Sequence, residues 1–372
     1  MITSTLLATA LCIAAAEPSV LFERTKIGDT TYEAASVFDV DNDGHVDIVS
    51  GGFWHAGPEF TTAHKICDIL QVDDYYDDFS DYPMDVNGDG YLDIVTGGWF
   101  GQTLYWRENP KGQPVEWTTH TVAKTGNIER CSFFDLDGDG HMEVFATTSP
   151  VHYFRLVRDE NGVGQGRFEQ YTIPENGGGH GFGCGDVNGD GRPDLIFSGG
   201  WMEASEDPYD VHGWKWHPDF NLGTASVPIL VHDVNGDGKN DLIVGGAHGY
   251  GLWWYEQGAP GEWTQHVIEA HRSQFHEMQL ADIDNDGALE LVTGKRYRAH
   301  RGHDAGGHDP LFTVYYDIDP AGFTRHTIDY GPAGQASGIG IYCWITDIDG
   351  NGWKDIVAPG KEGLYLFKGL GR

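Results

Sequence analysis

The chain has 372 residues, of which 40% are hydrophobic and 13% aromatic, and its formal net charge is −34. Such acidity excludes nucleic acid as a partner, because the phosphate backbone is bound by Lys and Arg. No stretch after the first twenty residues is apolar and long enough to span a membrane.

The N-terminus has the pattern of a secretory signal. Residues 1–16, "MITSTLLATALCIAAA", combine an apolar centre with small residues at the end, and they predict a signal peptide cleaved near residues 14–16. Residues 17–372 are then predicted to form a single domain, secreted or periplasmic. Four cysteines lie in that domain (Cys67, Cys131, Cys184 and Cys343), and their scattered spacing favours free thiols over disulfides.

A nine-residue motif, seen in "DVNGDGYLD" from Asp85 to Asp93, recurs seven times. Position one is always Asp, position three is Asp or Asn, position six is always Gly, and position nine is Asp or Glu. Positions one, three, five and nine are, in chain order, Asp39, Asp41, Asp43 and Asp47; Asp85, Asn87, Asp89 and Asp93; Asp135, Asp137, Asp139 and Glu143; Asp186, Asn188, Asp190 and Asp194; Asp233, Asn235, Asp237 and Asp241; Asp282, Asp284, Asp286 and Glu290; Asp347, Asp349, Asn351 and Asp355.

The motif predicts a structural Ca²⁺ site in each copy. Oxygen side chains two residues apart converge if the glycine at position six lets the backbone curl, and converging oxygens are the ligands of Ca²⁺. Asn351 marks one weaker site. The alternative, a plain Asx turn, does not require the acid at position nine.

Strand patterns surround each motif. A short apolar run such as "DIVTGG" follows the loop, then an aromatic strand such as "GLWWYEQ", then an alternating strand such as "WTQHVI". Four strands per unit of about 40–50 residues is the period of a β-propeller blade. The last unit lacks its fourth strand, and "FERTKI" at residues 22–27 has the missing pattern, so we predict an all-β, seven-bladed propeller closed by that N-terminal strand. In the fourth blade, "GWKWHPDF" is the only candidate for the fourth strand.

With these loops and strands, residues 20–372 resemble the FG-GAP/VCBS repeat family of secreted and surface proteins. The resemblance implies a seven-bladed propeller with Ca²⁺ in its Asp-rich loops. It does not imply one function, because propellers serve both binding and catalysis.

Chemistry-bearing residues are concentrated in loops on the face opposite the Asp-rich loops. His180, His248 and His276 precede or begin inner strands there, and three converging imidazoles would suit a catalytic divalent metal. His180 or His276 is also a candidate general base. The alternative is that each histidine simply bonds a backbone carbonyl. His120, His266 and His326 occupy equivalent outer positions and are predicted to be structural.

A basic segment lies in the long insertion of the sixth blade. Lys295, Arg296, Arg298 and Arg301 fall within seven positions, and with Arg130 they predict binding of an anionic or oxygen-rich group. Tyr297 and His300 in the same segment are candidates for proton transfer. The alternative is that these arginines pair with neighbouring acids and fix the loop.

Tryptophans in the loops of this face suggest sugar binding. Trp54 and Trp99 are candidates to stack on a pyranose ring, although propellers also bury many aromatic residues between blades.

The arrangement has a second, weaker resemblance, to the propeller domain of the aldos-2-ulose (anhydrofructose) dehydratases and to the ulvan-type polysaccharide lyases. This resemblance implies a lyase that acts by β-elimination on a keto-sugar, keto-glycoside or uronate, with Arg130, Arg296 and Arg298 on the oxyanion or carboxylate and Tyr297 as the acid. The alternative is a non-catalytic, calcium-dependent glycan-binding or adhesion module.

Overall fold

The computed structural model describes residues 19–173 and 179–372. The predicted signal peptide therefore lies outside the described residues. Within them the chain forms thirty β-strands and one short 3₁₀ segment, Ala299–Gly302. No helix in these two ranges is long and apolar enough to cross a membrane.

The strands form seven four-stranded antiparallel sheets, the blades. The first strand along the chain is β1 (Leu21–Gly28). Blade one comprises β2 (Ser36–Phe38), β3 (Asp47–Ser50), β4 (Phe53–Ala56) and β5 (Thr62–Lys65), and a hairpin of β6 (Gln71–Val72) and β7 (Tyr75–Tyr76) follows it. Blade two comprises β8 (Tyr82–Met84), β9 (Asp93–Gly97), β10 (Thr103–Glu108) and β11 (Thr118–Lys124). Blade three comprises β12 (Cys131–Phe134), β13 (Glu143–Ala146), β14 (His152–Arg158) and β15 (Gly164–Thr172).

The remaining blades follow in chain order. Blade four comprises β16 (Phe182–Gly185), β17 (Asp194–Phe197), β18 (Gly200–Glu203) and β19 (Lys215–His217). Blade five comprises β20 (Leu230–His232), β21 (Asp241–Gly245), β22 (Tyr250–Gln257) and β23 (Trp263–Ser273). Blade six comprises β24 (Phe275–Ala281), β25 (Glu290–Lys295), β26 (Leu311–Asp319) and β27 (Gly322–Gly331). Blade seven comprises β28 (Trp344–Thr346), β29 (Asp355–Gly360), β30 (Gly363–Gly371) and β1.

Blade seven joins the two ends of the described chain. Strand β1 pairs antiparallel with β30, with Arg24 opposite Phe367 and Thr25 opposite Leu366. The pairing covers the outer edge that β30 would otherwise expose. In blade four, the short fourth strand β19 lies within "GWKWHPDF", the only candidate for it in the sequence.

The core is divided among the contacts between blades. Seven clusters of buried apolar side chains lie in the described chain, one between each pair of neighbouring blades. The apolar second strands are fully buried, as in β17, because they pack between blades on both faces. The four cysteines of the described domain are free thiols.

The Asp-rich loops curl as their spacing predicts. The glycine at position six is in the left-handed region in all seven copies, with φ between 85° and 92°. In six of the seven copies the position-one carboxylate accepts backbone N–H groups that the curl turns inward, as Asp39 does from Asp43 (3.1 Å) and Gly44 (2.9 Å). In the first loop, Asp39, Asp41 and Asp43 place carboxylate oxygens within 4.8 Å of one another.

The acid at position nine has a structural role of its own. In every copy it accepts the backbone N–H of position two, for example Asp47 from Val40 at 2.8 Å. In five copies its other oxygen accepts an N–H near the end of the third strand, as Asp47 does from Gly57 at 2.8 Å. The fixed acid therefore closes the loop onto the blade, a requirement that holds with or without Ca²⁺.

Strand direction sorts the loops into two faces. The Asp-rich loops join first to second strands, so they all lie on one face of the propeller. The second-to-third turns and the connections between blades lie on the other, which we call the upper face.

Candidate functional site

The upper face brings four side chains of types that can bind a metal together at the mouth of the central channel. Glu129 lies just before β12, His180 just before β16, His248 in the β21–β22 turn and His276 on β24. One potential ligand atom from each lies within 4.8 Å of all the others. The three predicted histidines therefore converge, and four consecutive blades supply the cluster.

Direct contacts connect the four residues of this cluster. The Nε2 atoms of His180 and His248 are 2.8 Å apart. His276 Nε2 lies 3.0 Å from Glu129 Oε1, and His180 Nε2 lies 3.6 Å from the same oxygen. The buried Nδ1 atoms of His180 and His276 have no hydrogen-bond partner. One edge of each imidazole thus faces the shared centre, not a backbone carbonyl.

Arg296 holds the carboxylate of the cluster. Its Nη1 donates to Glu129 Oε1 at 3.1 Å, and its Nε donates to Glu33 Oε1 at 2.9 Å. Both contacts are buried. Since Glu33 precedes blade one and Glu129 precedes blade three, Arg296 ties three separate parts of the ring together.

Asp304 connects the cluster to a further histidine. Its Oδ2 lies 2.7 Å from His248 Nδ1, and its Oδ1 lies 2.9 Å from His300 Nδ1. The rings of His248 and His300 are stacked, with centroids 4.2 Å apart. A carboxylate on the far nitrogen of a metal-binding histidine orients that ring and fixes its tautomer.

Burial sets the protonation of the cluster. Burial and the Arg296 charge lower the pKa of His276 well below its ordinary value, despite Glu129. Burial, together with His180 and Arg296, lowers the pKa of His248 to about 4, and burial also lowers that of His180. Burial raises the pKa of Glu129, but the His276 hydrogen bond and the Arg296 charge outweigh it, so the net shift is downward. At neutral pH the cluster therefore holds neutral imidazoles and an ionised carboxylate, the forms that bind metals.

The histidines that are candidates for proton transfer differ in how far their side chains are exposed. The side chain of His276 is completely buried, whereas 28% of His180 and 60% of His300 are exposed. The candidacy of His276 as a base is therefore corrected: it has no surface from which to take a substrate proton. His300 is exposed enough to reach a substrate and stays a candidate base.

The predicted anion-binding arginines are occupied by acids of the protein. The buried guanidinium of Arg130 pairs with Glu277, and Arg296 pairs with Glu33 and Glu129. Their predicted contact with substrate is replaced by these internal ion pairs.

The rest of the basic segment is also paired. Arg298 lies 3.5 Å from Asp74, Arg301 pairs with Asp73, and the buried Lys295 donates to Ser273 Oγ at 2.7 Å. The alternative interpretation of this segment, a loop fixed by neighbouring acids, is what the structure shows. Tyr297 is half-buried in the turn after β25.

The two predicted sugar-binding tryptophans differ in environment. Trp54 is 2% exposed, stacks on His64 and belongs to the core between blades one and two, so its predicted role is corrected. Trp99 is 38% exposed in the β9–β10 loop, and its neighbour Phe100 is 36% exposed.

Sequence reasoning missed three acids that organise the site: Glu33, Glu129 and Asp304. Glu129 immediately precedes Arg130 in an upper-face loop, and this position next to a candidate site residue could have indicated that it belongs to the site. In a chain with 57 Asp and Glu residues, a lone carboxylate outside the repeated motif does not stand out.

Comparison with protein families agrees with the repeated loops. Residues 85–146 and 233–293 match the model of the FG-GAP-like repeat. The first matched segment runs from blade two into blade three and the second from blade five into blade six, so each includes two of the Asp-rich loops.

The solved structures to which the chain is similar are distant in sequence. A lectin of Agrocybe aegerita that recognises non-reducing terminal N-acetylglucosamine is 15% identical, with a TM-score of 0.47 over 91% of this chain and 89% of the lectin. The rhamnogalacturonan lyase YesW is 14% identical, with a TM-score of 0.49 over 92% and 72%. The Bacillus licheniformis rhamnogalacturonan lyase PL11 is 13% identical, with a TM-score of 0.48 over 94% and 76%. A search of curated proteins gave no match.

Proposed function

We propose that the protein is a metal-dependent, carbohydrate-active lyase whose centre lies at the upper mouth of the channel. The observation that carries the proposal is the convergence of Glu129, His180, His248 and His276 within 4.8 Å. Three imidazoles and one carboxylate form a donor set that suits zinc or another first-row transition metal.

The contacts within the cluster fit a cation. Two imidazole Nε2 atoms that face each other at 2.8 Å need a proton or a cation between them. The side chain of His180 is 28% exposed, so the cluster is accessible to solvent. An open position is characteristic of catalytic metal sites, whereas structural sites are closed by protein ligands.

Elimination needs an electrophile and a base, and the cluster and its neighbours supply both. A bound metal would polarise a carbonyl next to the carbon that loses its proton. His300, oriented by Asp304, would take that proton at Nε2; the carbon–oxygen bond to the leaving group then breaks as the double bond forms. Tyr297 is our candidate to protonate the leaving oxygen.

The rim beside the cluster supports a carbohydrate as substrate. Asp77 accepts the N–H groups of Phe100 and Gly101, each at 2.7 Å, and Asn127 donates to the carbonyl of Trp99 at 2.8 Å. These contacts fix the loop that carries the two exposed aromatic rings. Asn127, which bonds this loop, lies two residues before Glu129 in the chain. Rings fixed in this way can stack on a pyranose face.

The charges near the centre favour a neutral keto-sugar or keto-glycoside over a uronate. The arginines nearest the cluster are already paired with carboxylates, as described for Arg296 and Arg298. A polyanionic substrate would therefore meet a strongly acidic protein in which Arg296 and Arg298 are already engaged.

The first experiment measures metal content and turnover together. We expect the purified protein to bind one transition metal per chain outside the Asp-rich loops, and to eliminate a 3-keto-glycoside. His300→Ala should keep the metal and lower kcat by about 10²–10⁴, whereas Glu129→Ala should lose the metal. His266→Ala, a histidine on an outer strand, is the control that should change neither.

A second candidate is a glycan-binding module, favoured by the exposed rings of Trp99 and Phe100. It predicts glycan affinity without turnover, lost in Trp99→Ala and unchanged in His300→Ala. A wild-type protein that binds no transition metal and yields no product from keto-glycosides or uronic-acid polymers would replace the lyase proposal by this one.

A further inference from the structure

Two insertions from opposite parts of the sequence meet at the channel mouth. One is the β6–β7 hairpin between blades one and two, and the other is the segment of residues 296–310 between β25 and β26 in blade six. We call the pair the strap. The residues that hydrogen bonds join across it are 225 and 228 positions apart in sequence, and neither half belongs to the propeller repeat.

Three contacts join the halves directly. The backbone N–H of His300 donates to Tyr75 Oη. Arg301 pairs with Asp73, and Arg298 Nη2 lies 3.5 Å from Asp74 Oδ2. A hydrogen bond and two ion pairs therefore connect the hairpin to the residues that flank the candidate base.

Lys361, in the β29–β30 turn of blade seven, contacts the strap through its side chain. Its Nζ lies 3.4 Å from Asp74 Oδ2 and 3.4 Å from the centre of the Tyr75 ring, and it donates to the carbonyl of Arg298 at 3.2 Å. Only 4% of its side chain is exposed. The lysine therefore contacts both halves at once.

The backbone of the strap is strained at the same place. Arg298, His300 and Arg301 have φ values of 51°, 47° and 60°, and Asp73 across the contact has 56°. Residues with a Cβ adopt this left-handed conformation only where their surroundings enforce it. The contacts between the halves are the interactions that can enforce it here.

The strained residue His300 is also the one that faces the cluster. Its main chain is held by Tyr75, its Nδ1 by Asp304, and its ring lies on that of His248. The geometry points to Asp73, Asp74 and Tyr75 as positioning residues, which hold His300 and Asp304 against the metal cluster. This inference rests on the proposed function, in which His300 is the base.

The strap should respond to salt. Arg301 and Asp73 are 57% and 55% exposed, and Arg298 and Asp74 are 43% and 29% exposed. Ions screen exposed pairs of this kind. We expect turnover to fall as ionic strength rises, with the metal retained.

A charge swap tests the strap. Asp73→Arg and Arg301→Asp each place like charges opposite one another, and the double variant restores an opposite pair. We expect faster amide hydrogen exchange at residues 298–304 in each single variant and protection again in the double variant. Turnover should follow: kcat falls about 10- to 100-fold in the single variants with KM and metal content unchanged, and it recovers in the double variant.

Two further variants keep the test decisive if charge reversal impairs folding. Tyr75→Phe removes only the acceptor for the His300 N–H, and it should shift exchange and kcat in the same direction. Lys65→Glu, which reverses one charge of an exposed pair with Glu116 on the outside of blade one, is the matched control that should change neither.

The outcomes separate the strap from the proposed function. Exchange at residues 298–304 that is equal in the wild type and both single variants would overturn the strap, whatever the activity. Faster exchange with an unchanged kcat would overturn its positioning role. A wild type without turnover or bound transition metal would overturn the proposed function, and hydrogen exchange alone would then decide whether the strap holds His300.

Discussion

Two adjacent residues of blade three reach across the channel to two adjacent residues of blade six. Glu129 contacts His276, and Arg130 pairs with Glu277. The first contact belongs to the cluster of three histidines and Glu129. The second lies beside it, where the Arg130 guanidinium stacks on Tyr342 at 4.3 Å and also donates to a backbone carbonyl at 3.1 Å. The buried ion pair thus supports the carboxylate that joins the cluster.

Removing one partner of this ion pair should be costly. Arg130→Met leaves the fully buried Glu277 without its counter-charge, and we expect a loss of about 3–5 kcal/mol in the free energy of unfolding. Urea unfolding followed by tryptophan fluorescence measures it. The control, Lys26→Met, breaks a pair with Asp29 in which the two side chains are 42% and 94% exposed, and it should cost about 1 kcal/mol or less. Equal losses in the two variants would contradict the structural role of the buried pair.

Site residues that occupy repeated positions of the propeller could be predicted from the sequence, whereas those outside the repeat could not. His180, His248 and His276 each occupy an upper-face position that the propeller repeat assigns, so their convergence could be expected. The partners of Arg298 and Arg301 could not, because Asp73 and Asp74 lie on a hairpin outside the repeat. Nothing in the spacing of the repeats indicates that this hairpin contacts the insertion of blade six.

At the scale of the strand, one side-chain arrangement recurs on the outer part of the blades. An aromatic residue on the third strand stacks on a histidine of the fourth, and the histidine bonds an acid two residues beyond the aromatic. In blade two, Trp106 stacks on His120 at 4.3 Å, and His120 lies 2.7 Å from Glu108. Equivalent sets occur in blades four, five and six (Trp201, His217 and Glu203; Trp254, His266 and Glu256; Tyr315, His326 and Asp317).

These histidines therefore fasten third strands to fourth strands. The cross-strand pairing places each aromatic directly opposite its histidine, and opposed side chains are the unit of sheet stabilisation. The repeated spacing in the sequence is explained by this contact, which has no counterpart among the histidines of the upper face.

Strand β1 is the element whose loss should matter most. It covers the edge of β30. Its Arg24 also donates to Asp329 on β27 of blade six at 2.7 Å, and to the carbonyl of Gln335, which follows that strand, at 2.6 Å. Deleting residues 20–28 exposes a long strand edge, so we expect aggregation. Size-exclusion chromatography and light scattering measure it. A control that begins at residue 19 should remain monodisperse, and a monodisperse, folded deletion variant would show that the edge needs no cover.

At the scale of the molecule, the two faces carry different chemistry. The upper face holds the cluster of three histidines and Glu129 and the strap, whereas the opposite face holds seven Asp-rich loops. These loops contain 24 carboxylates at positions one, three, five and nine, a large share of the net charge of −34. The blade number and strand order follow from a period that the sequence repeats seven times, so the fold was predictable. The insertions occur once each, and the sequence contains no second copy from which to infer their contacts.

We propose that Ca²⁺ occupies the Asp-rich loops and stabilises the fold. The support is the convergence of carboxylate oxygens, as in the first loop, where Asp39, Asp41 and Asp43 lie together. Some loops are partly neutralised by bases of the protein: Arg155 lies 3.3 Å from Asp137 and Arg372 pairs with Asp284. Like charges held this close repel when no cation is bound, so chelation should lower the melting temperature by several degrees or more.

The pH dependence gives this proposal its sharpest test. Burial raises the pKa of Asp47 and Asp194 to about 6, and that of Asp93 and Glu290 to about 7. Because these values lie above those of an unfolded chain, about 4, the metal-free protein gains protons on folding, and this contribution to stability grows as the pH falls from about 7 to about 4. Bound Ca²⁺ needs the ionised carboxylates, so its contribution shrinks over the same range.

The difference in melting temperature between the Ca²⁺-loaded and the chelated protein should therefore be largest above pH 7 and decrease toward pH 5. Groups outside the loops titrate in both forms and cancel in this difference. Differential scanning calorimetry at several pH values, with calcium content measured by elemental analysis, provides the comparison. Asp41→Asn and Asp43→Asn together should reduce the difference at pH 7.5, because they remove two of the negative charges that attract Ca²⁺ to one loop. Asp29→Asn, a change at an exposed acid outside the loops, should leave the difference unchanged. A melting temperature that is the same with and without calcium at pH 7.5, after calcium removal has been verified, would mean that backbone hydrogen bonds to the position-one and position-nine carboxylates suffice to hold the loops.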